Sequence, residues 1–424
     1  MTRSAEPTQK SWIETAPDSD FPIQNLPFGI FRTSDRSARP GIAIGDYIVD
    51  LSALFQANLL NVRGIIASVL TQPYLNDLIA LGKNTTNGIR ERVRELLFED
   101  TPDIRDNLNL RERCLVRRST AEMQVPVQIG DYTDFYSSID HATNVGTMFR
   151  DPNNALLPNW KHMPVGYHGR ASSIVVSGTP IRRPKGQQML EGAAAPIFGP
   201  TRQLDFELEV AFVTGKLTEL GQSIPTNKAE DCIFGILLFD DLSARDIQKW
   251  EYVPLGPFLA KNFGSVISPW IVTLEALEPF RVKGAEQDPA VLPYLTFEGK
   301  KNYDIHLEVA IQPTGGNPFT VSKSNFKHLY WNMCQQLAHQ TVNGCNINVG
   351  DLYASGTISG PDPGSYGSML ELAWKGTKPV KIPGFGERKF IEDGDVIIMR
   401  GWAQGKGYRV GFGECRCEIL PAIL

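Results

Sequence analysis

Long hydrophobic runs are missing from this sequence, and no stretch approaches the roughly 18 apolar residues of a membrane-spanning helix. Basic excess is missing as well. Lys and Arg number 42 against 47 Asp and Glu, and the net charge of −5 leaves no electrostatic footprint for nucleic acid. The six cysteines (Cys114, Cys232, Cys334, Cys345, Cys415, Cys417) form no CxxC pair. They read as free thiols in a reducing compartment, the cytoplasm being the expected location. Cys415 and Cys417 are expected on opposite faces of a strand or in a turn. The first twenty residues are polar, lack an apolar core and do not read as a secretory signal. There is no GxSxG, no Walker loop and no dinucleotide fingerprint, so serine hydrolase, kinase and dehydrogenase readings have no support. Ser324 and Lys327 make an SxxK, but nothing around them suits an acylating serine.

What is present points to β structure. The 38 glycines and 29 prolines imply many turns, and 424 residues exceed one ordinary core. Residues 1–20 read as a loose tail and 21–125 as an N-terminal domain, a β meander followed by two or three helices. Residues 126–424 read as a larger, mainly β domain. Within it, residues 182–204 look like a surface excursion, and CIFGILLFDD like a buried central strand. One late helix is expected, capped by Ser324 and striped by Phe326, Leu329, Tyr330, Met333 and Leu337.

Chemistry concentrates between Asp131 and Arg150, where Asp134, Tyr136, His141 and Arg150 fall within twenty residues. Elsewhere, Glu207 and Glu209 in DFELEVAF point to one face of a strand. Side by side they repel, unless a cation lies between them or the face is simply exposed. Asp240 and Asp241 end the apolar strand. With Asp134 these carboxylates would select a hard cation, Ca²⁺ or Mg²⁺, over zinc if they converge. In LSARDIQKWEY, Ser243 suits a helix N-cap, and Arg245, Gln248 and Tyr252 share a face suited to an anion or merely to solvent. Trp250 is expected in packing. Lys261 sits among apolar residues and Glu371 alternates with them, so each either serves a site or snorkels to water. Of the six histidines, His141 has the most suggestive neighbours.

The long ordered motifs DYTDFYSS, HATNVG, LDFELEVAF, DDLSARDIQKWEYVPLGPFLAKNFG, ASGTISG and GSMLEL resemble the fumarylacetoacetase family, from about Phe21 to the C-terminus. The resemblance implies a homodimer whose chains pair a small SH3-like N-terminal barrel with a larger mixed-β roll. It implies hydrolysis of 4-fumarylacetoacetate to fumarate and acetoacetate, the last step of tyrosine and phenylalanine degradation. By motif it assigns calcium to Asp134, Glu207, Glu209 and Asp241, and a magnesium position to Lys261 and Ser265. His141 and Glu371 become a catalytic dyad, with Arg245, Gln248 and Lys261 as oxyanion donors. Substrate contacts fall to Tyr136, Arg150, Tyr167, Gln248, Tyr252 and Thr357. Ser265 stands where threonine is expected, which keeps the hydroxyl. A related hydrolase or decarboxylase of a 2-oxo or β-dicarbonyl acid, and a catalytically dead binding protein, are the competing readings.

Overall fold

Alternating apolar residues from Phe28 to Asp50 form three antiparallel strands, Phe28–Arg32, Arg39–Ile44 and Tyr47–Asp50. These come from a computed structural model, which describes residues 10–423. Leu115–Arg117 and Glu122–Gln124 complete a five-stranded sheet, its last strand pairing back onto its first. That order fits the small SH3-like unit. Helices fill the chain between the third and fourth strands. The longest, Lys83–Leu97, turns Ile89, Val93, Leu96 and Leu97 inward.

The larger part is built around Ile233–Asp241, a strand buried along its whole length. Leu208–Thr214 and Ser265–Ile267 flank it, and Leu352–Ala354, Tyr132–Phe135 and Gly166–His168 extend the same mixed sheet. A second sheet, which includes His306–Gln312, Val396–Gln404 and Arg409–Leu420, packs on one face of it.

Strand periodicity then sorts the side chains. Leu208, Val210, Phe212, Ile236 and Leu238 point to the second sheet and share a core with Leu307, Val309, Met399 and Phe412. Ala211, Val213, Leu237 and Phe239 point the other way and share a core with Phe28, Ile30, Leu78 and Ile79. The N-terminal unit is therefore the cover of one face of the main sheet. The same alternation places Glu209 and Asp241 on that covered face, at its end.

Several expectations are corrected. Residues 1–9 of the expected tail lie outside the described residues, but 10–20 are pinned. Trp12 donates from its backbone N to Leu97 O at 3.2 Å and from Nε1 to Leu96 O at 3.0 Å, and Ile13 is buried. Ser324 caps no helix, because the chain stays paired in the strand Phe319–Asn325. The helix is Met333–Thr341, with Asn332 and Gln335 as its capping box. Ser243 is also in a short strand, one residue too early to cap Arg245–Glu251. Trp250 is 41% exposed, its ring nitrogen on Gln187 Oε1. Cys415 and Cys417 share one buried face, as residues two apart on a strand must, and all six cysteines are free. Residues 182–204 do carry the expected excursion, as a hairpin of Lys185–Gln188 and Ile197–Pro200. Among the described residues no helix is long and apolar enough to cross a membrane.

The shared core can be tested at Phe234, whose ring lies 5.5 Å from that of Phe28 across the two units. Phe234→Ala is expected to cost about 3–5 kcal/mol, with the chain still unfolding in one step during chemical denaturation. Two separate transitions would contradict a common core.

Candidate active site

The ends of three strands bring the carboxylates together, Glu207 lying just before the one that carries Glu209. Asp134 pairs with Ala354, Ala354 with Ala211, and Asp241 with Ser265. Oxygens of Asp134, Glu207, Glu209 and Asp241 consequently lie within 4.8 Å of one another, all four residues buried. The exposed strand face that Glu207 and Glu209 could have made is excluded. Lys261 Nζ donates to Glu207 Oε2 and Asp241 Oδ2, each at 2.7 Å. Ser265 Oγ donates to Asp241 Oδ1 at 2.9 Å, and Tyr167 OH to Asp241 Oδ2 at 3.0 Å. Gly356, at φ +75°, turns its N–H onto Glu209 Oε2 at 2.9 Å, and a Cβ there would collide with the Phe135 carbonyl.

One ammonium does not balance four carboxylates. Burial, then the charge of Asp241, pushes Asp134 well above the ordinary carboxylate range. Burial, then Asp134 and Glu207, does the same to Glu209. Glu207 goes the other way. Burial opposes ionisation there, but Lys261, Arg245 and His141 together hold its carboxyl below its usual value. Asp134 Oδ1 and Glu209 Oε1 are buried with no hydrogen-bond partner among the described residues. Unpaired oxygens in an all-oxygen cluster fit a hard divalent cation. The side chain of Lys261 does not fit the metal-ligand role given to it in sequence. Its ammonium is donated to two carboxylates, and its pKa is raised by Asp241 and Glu207 against the effect of burial. An ammonium has no lone pair for a metal.

His141 lies at the start of the helix Ile139–Phe149, whose N-cap Ser138 accepts from His141 N. Its Nδ1 is 2.7 Å from Glu371 Oε2. Glu371 sits on the short helix Met369–Leu372 and is itself fully enclosed. Asn144 Nδ2 donates to its Oε1 at 2.9 Å, Ser368 Oγ to its Oε2 at 2.8 Å, and Ser359 Oγ approaches both oxygens at 2.9 Å. Burial pushes the Glu371 carboxyl up, but the charge and hydrogen bond of His141 and the bonds from Asn144 and Ser368 hold it below its ordinary value. Surrounded by donors, Glu371 is a carboxylate, so Nδ1 carries a ring proton toward it and Nε2 is the nitrogen left to exchange one. Tyr136 stands edge-on to the His141 ring at 5.2 Å.

Arg245 bridges the two halves. Nε donates to Asp205 Oδ2 at 2.8 Å, Nη1 lies 2.7 Å from Glu207 Oε1 and donates to Gln248 Oε1 at 3.2 Å. Nη2 is buried without a partner among the described residues, and so is Thr357 Oγ1. Two of the sequence assignments make no hydrogen bond within the cluster, although the charge of Arg150 is felt by Tyr136. Arg150 spends Nε and Nη2 on Ala155 O, at 3.1 and 2.8 Å, and Tyr252 is 54% exposed. Asp240 faces the core and accepts from Glu207 N at 3.3 Å. Sequence reasoning missed Asp205, which continues the alternation of LDFELE one step back, and Asn144, one helical turn beyond His141. Ser359 and Ser368 carried no signal of their own.

A histidine–carboxylate base beside a buried cage for a hard cation defines a metal-assisted hydrolase centre. Comparison with known sequences agrees. Residues 132–420 match the fumarylacetoacetate (FAA) hydrolase C-terminal family and residues 24–126 the fumarylacetoacetase N-terminal family. The chain is 52% identical to a fumarylacetoacetase of Homo sapiens over 98% of this chain and 99% of that one. It is 54% identical to one of Dictyostelium discoideum over 97% and 98%. The fold is that of a solved fumarylacetoacetate hydrolase from Exiguobacterium antarcticum, at TM-score 0.54 and 18% identity, covering 93% of this chain and 99% of that one. The chain belongs to the fumarylacetoacetase family.

The raised carboxyls give a pH test. Asp134 and Glu209 must lose protons to hold a cation, so affinity for a divalent cation should fall as pH drops through their raised pKa values. Calorimetry between about pH 5 and about pH 8 should show affinity rising up to about tenfold per unit for each proton released. Binding without proton release would contradict the crowded-carboxylate account.

Proposed function

We propose that this chain hydrolyses the carbon–carbon bond of 4-fumarylacetoacetate, giving fumarate and acetoacetate, at the end of tyrosine and phenylalanine degradation. The observation that carries this is the His141–Glu371 pair at 2.7 Å beside the four-carboxylate cluster, in a chain matching fumarylacetoacetases along nearly its whole length. The tautomer set by Glu371 makes His141 Nε2 the base that takes a proton from water. Water adds to the ketone, and the tetrahedral alkoxide is met by Arg245 Nη2 and Lys261. Each such donor contributes about 3 kcal/mol. Collapse breaks the carbon–carbon bond, and the imidazolium returns its proton to the leaving carbon. Lys261 is the poorer acid for that step, being held by two carboxylates.

Calcium is the cation proposed for Asp134, Glu207, Glu209 and Asp241, where it would polarise a substrate oxygen when bound. Magnesium beside Ser265 would depend on its hydroxyl and on backbone oxygens, since the Lys261 ammonium has no lone pair to give it. Tyr136, Tyr167, Gln248 and Thr357 are proposed to contact substrate directly. Arg150 and Tyr252 are proposed to contact it as well, Arg150 through the nitrogen that Ala155 O leaves unused. A homodimer is proposed on the apolar surface around Leu255 and Phe258, 96% and 67% exposed. The six free thiols suit the cytoplasm.

The same fold occurs in a maleylpyruvate hydrolase from Sphingobium, at TM-score 0.50 and 15% identity, covering 94% of this chain and 100% of that one. Related dicarbonyl acids are therefore the natural control substrates. Loss of fumarylacetoacetate should be the fastest reaction in such a panel, followed spectrophotometrically. His141→Ala should lower kcat by about 10³-fold while calcium and fumarate still bind. Retained turnover would remove His141 from the chemistry.

A further inference from the structure

Asp205 is fully buried, and nothing in the proposed reaction uses it. It lies on the short strand Leu204–Asp205, paired with Ser243–Ala244 immediately before Arg245. Its two oxygens face three donors. Oδ2 accepts from Arg245 Nε at 2.8 Å and from Leu370 N at 3.0 Å, and Oδ1 from Met369 N at 2.7 Å. The first partner aims the proposed oxyanion donor. The other two are the residues that lead directly into Glu371. One carboxylate thus grips both halves of the centre, the side chain of one and the backbone of the other.

The anchoring of Arg245 is otherwise incomplete. Nη1 is taken by Glu207 and Gln248, which fixes one arm of the fork but leaves rotation about it. Adding Asp205 on Nε fixes the plane, and only then does the unpartnered Nη2 have a set direction. Glu371 has its own side-chain donors, but their bonds act only if the backbone of its turn stays in place. A shift on the order of 1 Å at either end costs about 100-fold in rate.

We propose that Asp205 is a positioning residue that sets the distance and orientation between the Arg245 Nη2 donor and the His141–Glu371 base. This deepens the reading above and rests on it.

Asp205→Asn retains a side-chain oxygen for the Met369 N–H but removes the charge that holds Arg245. It should lower kcat about 100-fold with KM within about threefold, while fumarate affinity by calorimetry is unchanged. If Asp205 acts through Arg245, the losses will not multiply. The Asp205→Asn/Arg245→Gln protein should have a kcat within about threefold of Arg245→Gln alone. A kcat for Asp205→Asn near that of the parent, or losses that multiply in the double variant, would overturn the proposal. Should Asp205→Asn not fold, Asp205→Glu asks the same question, since glutamate keeps the charge but its extra methylene moves the carboxylate away from Arg245 Nε and the Met369 and Leu370 N–H groups. It should also lower kcat by about 100-fold, and parental activity would overturn the proposal. Failure of the underlying reading looks different, because His141→Ala would then still turn over.

Discussion

Four buried carboxylates within 4.8 Å of one another set the terms for the rest of this molecule. At that separation each pair of charges repels by roughly 3 kcal/mol, even at an effective dielectric near 20. Lys261 offsets part of this, and Arg245 another part at Glu207. The balance stays negative, so the cluster holds protons or a cation. The fold keeps it together by covalent geometry. Asp134, Glu209 and Asp241 are fixed to strands, Glu207 sits one residue before its strand, and the strands are locked by ladders whose other residues are core. The covered face that places Glu209 and Asp241 inward also places Ala211, Val213, Leu237 and Phe239 under the N-terminal unit. Burying the acids and seating that unit are one structural act, which gives the N-terminal unit a role in the site although it supplies no reacting group.

The chemistry divides around this cluster. On one side His141 is held by a carboxylate saturated with donors, so the orientation of its ring does not depend on substrate. On the other, Arg245 is held by acids and keeps one N–H free. Glu207 stands between them, ionised by the two cations that touch it. Four buried polar atoms here have no hydrogen-bond partner among the described residues: Asp134 Oδ1, Glu209 Oε1, Arg245 Nη2 and Thr357 Oγ1.

Much of this could be read from sequence, for identifiable reasons. Glu207 and Glu209 were legible because strand periodicity alone puts them on one face. The buried strand ending in Asp241 was legible because nine residues from Ile233 have no use for solvent until their end. What could not be read was convergence, since Asp134, Glu207, Asp241 and Glu371 meet only through sheet order. The misplaced late helix shows a second limit. Apolar spacing at Phe326, Leu329, Tyr330, Met333 and Leu337 fits a helix, but sheet pairing through Asn325 delays it to Met333. Arg150, assigned by resemblance, gives two of its nitrogens to Ala155 O, and Tyr252 is half-exposed, because motif identity does not fix a long side chain's partners.

The most direct test of the central claim is a crystal structure with calcium, using anomalous scattering to locate the ion. The account predicts one ion bound by oxygens of Asp134, Glu207, Glu209 and Asp241, with Lys261 beside it and unligated. An ion bound elsewhere, or a cluster left protonated at saturating calcium near neutral pH, would contradict it.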